Sequence, residues 1–153
     1  MSQVEDRLGE KGLELPPPPS PLAQYVPAVR AGSLVFLAGH GTNKGGELIY
    51  RGKVGQDIDV ETAYQAAQLV CLNMLASLKA EIGDLDRVKR IVKLLGMVNC
   101  TPDFGQQPEV INGASDLLTE LFGERGRHAR SAVGMAALPR GISVEIEMVV
   151  EVE

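Results

Sequence analysis

Two stretches of this chain repeat apolar residues at helical spacing while five or six read as strands, and that imbalance limits the fold more than any other feature. In the first helical stretch Ala63, Ala67, Val70, Met74, Leu75, Leu78 and Ile82 recur every three or four residues, with Asp59 as N-cap and Gly83 as the stop. The second opens on Pro108 at a first helical position, carries Ile111, Ala114, Leu118 and Leu121 on one stripe, and ends at Gly123. Its polar flank holds Asn112 and Asp116. Strand-like segments are 25–29, 33–39, 87–99, 130–138 and 142–152, with 48–54 as a short edge strand. Within 87–99, Val88, Val92, Leu94 and Val98 are expected on one face, and Ile91, Leu95 and Met97 on the other. Pro139-Arg140-Gly141 is a turn signal, so the last two strands are expected to form a C-terminal hairpin. In the final strand Val144, Ile146, Met148 and Val150 alternate with Glu145, Glu147, Val149 and Glu151, giving one apolar and one carboxylate-lined face.

Two long helices cover a single face of such a sheet, yet 34–38 and 132–137 are apolar or small on both faces. Something else must cover the second face, and another copy of the same sheet in a closed symmetric oligomer is the economical answer. The competing arrangement is a monomer whose N-terminal segment folds over that face. That segment, 1–24, is expected at the surface: Val4 and Leu8 suggest one or two helical turns before the prolines at 16–19 impose an extended conformation. Residues 1–20 are therefore read as an N-terminal extension and 21–153 as a single α+β domain.

At 153 residues the chain can bury a core without disulfides or metals, and Cys71 and Cys100, lacking a partner motif, read as core thiols. The N-terminus carries no apolar leader and no apolar run is long enough to span a bilayer, so a cytoplasmic protein with no membrane partner is expected. A net charge of -5 repels phosphate backbones and disfavours nucleic acid as a partner.

No Walker loop, dinucleotide fingerprint, nucleophile elbow or metal cluster is present, and no cofactor is implied. His40 and His128 each stand alone; His40 follows a strand end, where sites often lie. Arg130 opens an otherwise apolar strand, and a guanidinium there calls for a planar anion, either a protein carboxylate or that of a ligand. Glu145 is equally open: alternating glutamates on a terminal strand are commonly a solvated face.

The stretch HARSAVGMAALPRGISVEIEMV resembles the signature of the RidA/YjgF family, approximately R-S-x-V-x-V-x-x-L-P followed shortly by V-E-I-E, and AQYVPAVRAGSLVFLAGH resembles that family's opening strand pair. The resemblance covers about 21–153 and implies a chorismate-mutase-like α+β fold, a mixed sheet with two long helices on one face, assembled as a homotrimer with ligand clefts between subunits. It also implies hydrolysis of 2-imino acids, formed from 2-aminoacrylate and related enamines, to 2-oxo acids and ammonia, without a cofactor or metal. On the matching positions the carboxylate-binding arginine is Arg130, the water-orienting glutamate Glu145, the cleft tyrosine Tyr25, the strand-end glycine Gly39 and the helix asparagine Asn112. The implied chemistry makes the backbone N–H of Ala132 an expected donor to the developing tetrahedral centre. Ala132 stands where many members have cysteine, His40 where glutamine is usual, and the lead-in is longer than in the compact deaminases, which marks a divergent subgroup. A non-catalytic binder of small carboxylates, or an interaction module, is the alternative function; an endoribonuclease or translation inhibitor fits the acidic charge less well.

Overall fold

A computed structural model describes residues 2–20 and 23–153. Along the chain lie α1 (Gln3–Glu10), β1 (Ala28–Ala31), β2 (Leu34–His40), a small hairpin of β3 (Asn43–Lys44) and β4 (Glu47–Leu48), α2 (Val60–Ile82), β5 (Val88–Asn99), α3 (Gln107–Phe122), β6 (Ala129–Met135) and β7 (Val144–Val152). Asp59 caps α2 by accepting the Thr62 N–H at 2.8 Å, and Gly83, at a φ of 85°, ends it. Pro108 sits in the first turn of α3, and Gly123 ends that helix.

The main sheet has the order β1-β2-β7-β5-β6, with β5 and β6 parallel and every other pair antiparallel. The last two strands are therefore not a hairpin. β6 pairs in parallel with β5, and the Pro139–Gly141 turn carries the chain past β5 so that β7 inserts between β5 and β2. The segment 48–54 is not a strand either: beyond β4 it makes only isolated bridges, from Arg51 to Ile142 and from Val54 to Ile58 and Cys100.

Two register shifts in the β5–β7 pairing, near Arg90 and between Ile91 and Lys93, break the simple alternation expected for 87–99. Val88, Ile91, Leu94 and Val98 consequently share the helix-facing side, while Val92 is turned outward and 36% exposed. Helices α2 and α3 cover this side, on which Val144, Ile146, Met148 and Val150 of β7 are also buried. Cys71 and Cys100 are buried and unpaired, and burial pushes the Cys71 thiol well above its ordinary range.

The N-terminal segment departs from the surface location expected for it. Ser2 and Glu5 form a capping box at the start of α1, Val4 and Leu8 are buried in the main core, and the N–H groups of Gln3 and Val4 donate to the Asp86 carboxylate at 2.8 and 3.1 Å. Glu5 pairs with Lys79 of α2, and Arg7 donates to the Leu121 carbonyl of α3 at 2.6 Å. Because α1 packs against α3, it does not cover the opposite face of the sheet, where Val29 and Phe36 remain 53% and 46% exposed. The expected domain boundary after residue 20 abuts residues 21 and 22, which lie outside the described residues. No helix among the described residues is long and apolar enough to cross a membrane.

Candidate active site

The sequence-predicted residues fall into two groups at different places on the sheet. The first lines a cleft of about 640 Å³ that contains Tyr25, Gly39, His40 and Glu145, with 16–20 as one wall and Arg140 at the rim. A register shift between Leu37 and His40 marks a bulge in β2, which reaims the strand end beside the cleft. Gly39 is exposed there and packs on Glu145: a Cβ added to it would stand 3.0 Å from the Glu145 Cδ and 3.2 Å from Oε2. The missing side chain thus gives the carboxylate its place. Partial burial, and secondarily the neighbouring Glu147, hold the Glu145 carboxyl above the usual carboxylate range.

The bulge also turns His40 inward, to 7% exposure. Its Nδ1–H donates to the Ala38 carbonyl at 2.6 Å and its Nε2 accepts from the Ser77 hydroxyl of α2 at 2.8 Å. Burial lowers its pKa, so the ring is a neutral tie between strand and helix. Asn73 of α2 braces the adjoining loop by donating to the carbonyls of Gly41 and Asn43 at 3.0 and 2.9 Å.

The second group surrounds Arg130 on edge strand β6. Arg130 Nη1 donates to Asn112 Oδ1 at 2.8 Å and to Ser115 Oγ at 3.1 Å, both on α3. Among the described residues no carboxylate pairs with it, since the ion pairs are Lys11 with Glu120, Lys79 with Glu5 and Arg127 with Glu124. Ala132 lies two residues along the strand and packs against the main core. Ser115, one turn beyond Asn112, escaped the sequence reading; its spacing of three on the polar side of α3 was the available signal. Among the described residues no three His, Cys, Asp or Glu side chains cluster to hold a metal ion.

Within one chain these groups do not meet. Arg130 pairs with Leu94 and Glu145 with Met97, with β5 between their strands, so the two Cα atoms lie about 14 Å apart. Arg130 points to the helix-covered side, as its bonds to α3 show, whereas Glu145 follows Val149 in parity on the opposite face. That open face carries a second groove of about 500 Å³ lined by Val26, Val29, Phe36, Leu95 and Val149.

A mixed five-stranded sheet backed on one side by helices is the architecture of the chorismate-mutase-like class of α+β protein. The chain belongs to the family described as "YjgF/chorismate_mutase-like, putative endoribonuclease", which it matches over residues 5–150. It is 40% identical over 150 residues to Protein TCP17 of Trypanosoma cruzi, covering 97% of this chain and 94% of that protein. The structure of Atu1372 from Agrobacterium tumefaciens, a protein of unknown function, is similar with a TM-score of 0.93 at 45% identity, over 99% of this chain and 93% of the other. RidA from an Antarctic Psychrobacter species is more distant, with a TM-score of 0.60 at 25% identity over 88% and 94% of the two chains. The drop between these two scores accords with a divergent branch of the family.

Proposed function

We propose that this protein hydrolyses 2-imino acids and their enamine tautomers to 2-oxo acids and ammonia, in clefts where Arg130 of one copy meets Glu145 of the next within a homotrimer. The observation that carries this is the state of Arg130: a guanidinium oriented by two neutral oxygens, with its charge unbalanced by any carboxylate among the described residues. A cation so held binds a planar carboxylate in a chosen orientation. The separation of Arg130 from Glu145 and the exposed apolar sheet face both support a second copy completing the site.

The chemistry asks little more of the protein. An iminium carbon is already electrophilic, so a clamp on the carboxylate and one aimed water suffice. Water oriented by Glu145 adds to the carbon of the C=N bond; its proton passes to the carboxylate and on to nitrogen, the C–N bond of the carbinolamine breaks, and ammonia leaves as the C=O forms. As the edge strand, β6 turns alternate N–H groups outward, and that of Ala132 serves the developing oxygen anion. The test is 2-oxo acid release from enzymatically generated imino acids, compared with the uncatalysed rate. No acceleration for any member of a panel of such imines would reject the reaction and leave the alternative of a carboxylate binder, which calorimetry with 2-oxo acids detects.

Glu145→Gln bears on the water-orienting role. Because Glu145 works ionised and its pKa is raised, the wild-type rate is expected to fall as pH drops through a midpoint above that of an ordinary glutamate. Glu145→Gln should lower the rate by about 10²-fold and flatten that acid limb. An unchanged limb in the variant would assign the titration to another group.

A further inference from the structure

Both hydrogens of one Arg130 nitrogen are spoken for, and an imidazole dictates how. His128 Nδ1 lies 2.7 Å from the Gly126 carbonyl oxygen, which can only accept, so Nδ1 carries the hydrogen. Neutral His128 then presents a bare Nε2, and the Ser115 hydroxyl 2.9 Å away must donate to it. With its hydrogen used, Ser115 Oγ is left to accept, and it takes one Nη1 hydrogen of Arg130 at 3.1 Å while Asn112 Oδ1 takes the other at 2.8 Å. The Nε and Nη2 edge of the guanidinium has no partner among the described residues and offers two parallel donors, the fork that fits a carboxylate.

We propose that Ser115 and His128 are positioning residues that hold Arg130 in its binding orientation and couple carboxylate binding there to protonation of His128. This rests on Arg130 being the carboxylate clamp. When His128 takes up a proton its Nε2 becomes a donor, and Ser115 Oγ is caught between two cations. A carboxylate on Arg130 offsets that repulsion and favours the imidazolium; by linkage, the proton then favours the carboxylate. The direction is fixed: an anion raises the His128 midpoint, and anion affinity rises as pH falls.

Charged side chains on the segments adjoining His128 are engaged elsewhere. Asp116 of α3 accepts from the Tyr64 hydroxyl at 2.8 Å, Arg127 pairs with Glu124 at 3.7 Å, and Arg125 donates to the carbonyls of Asp86 and Val88. Arg130 is the charge felt at the imidazole, adding to burial in lowering its pKa. Glu145 faces the same ligand from the other half of the cleft, and its protonation also favours an anion.

The experiment is an NMR titration of the His128 imidazole in the full chain, with and without saturating pyruvate; the chain has two histidines, and His128→Gln identifies the signals. Pyruvate should raise the His128 midpoint in the wild type and leave it unmoved in Arg130→Gln. Pyruvate affinity, measured by calorimetry, should rise roughly threefold to tenfold between pH 8 and pH 5.5. In His128→Gln binding should weaken at every pH, as loss of a positioning residue requires, and the imidazole's share of that rise should disappear, leaving whatever Glu145 contributes. Ser115→Ala should weaken binding and uncouple the two sites. A His128 midpoint indifferent to pyruvate, or responding equally in Arg130→Gln, overturns the proposal. Imine turnover is scored separately: hydrolysis with an unmoved midpoint removes this inference alone, and coupling without hydrolysis removes the hydrolase alone.

Discussion

Arg130→Ala is expected to lower imine hydrolysis by about a hundredfold or more, because the substrate carboxylate loses the fork that orients its reacting carbon. The protein should remain folded. Arg130 is half-buried at a sheet edge, and its partners Asn112 and Ser115 are neutral, so removal strands no buried charge. A stability loss of about 1–2 kcal/mol by denaturant unfolding fits two lost hydrogen bonds at about 0.5–1 kcal/mol each, the low end because the half-buried guanidinium stays in contact with water. Arg130→Lys should recover only part of the rate, since an ammonium restores the charge without the planar fork. Equal 2-oxo acid release by wild type and Arg130→Ala would show that the guanidinium has no part in the reaction.

Gly113→Ala should have the largest effect on stability. Gly113 lies where α3 meets α2, and a Cβ there would stand 2.0 Å from the Tyr64 carbonyl oxygen and 3.1 Å from the Ala67 Cβ. The obstacle at 2.0 Å is backbone, which cannot rotate aside as a side-chain end can, so the helices must separate. Overpacking of that kind costs about 3 kcal/mol, against a gain of about 1 kcal/mol from the better helix propensity of alanine. The site is expected to suffer too, because Asn112 and Ser115 flank Gly113 on the helix that positions Arg130. Urea unfolding and turnover of the variant check both effects, and wild-type stability would show that α2 and α3 approach less closely.

Much of the architecture was legible because its signals are local. The N-cap Asp59, the stop at Gly83, the stripe from Ile111 to Leu121 and the alternation in β7 each depend on near neighbours, and each appears as expected. What failed depends on partners distant in the chain. The Pro139-Arg140-Gly141 turn signals a reversal, but nothing local tells whether the reversed strand pairs with β6 or passes over β5. Ile91 and Val92 exchange faces because the bulges belong to the pairing with β7. Val4 and Leu8 read as a marginal surface turn because α1 is fastened through Val4, Arg7 and Glu5 to Asp86, Leu121 and Lys79, all distant in the chain. Of the candidate site, Arg130, Asn112, Tyr25, Gly39 and Glu145 came from a family pattern, and the structure adds what that pattern lacks: Ser115 and His128 behind the arginine, and a division of the residues between two faces.

The most direct test is complementation between two inactive proteins. Arg130→Ala and Glu145→Gln chains, each expected to be severely impaired alone, are co-expressed in equal amounts, so that the proposed homotrimer would form from a mixture of the two. If every cleft takes its arginine from one copy and its glutamate from the next, random mixing leaves about one cleft in four with both groups intact, and about a quarter of the wild-type rate should return. A mixture no more active than its two components would mean that the guanidinium and the carboxylate do not serve one cleft across a subunit boundary.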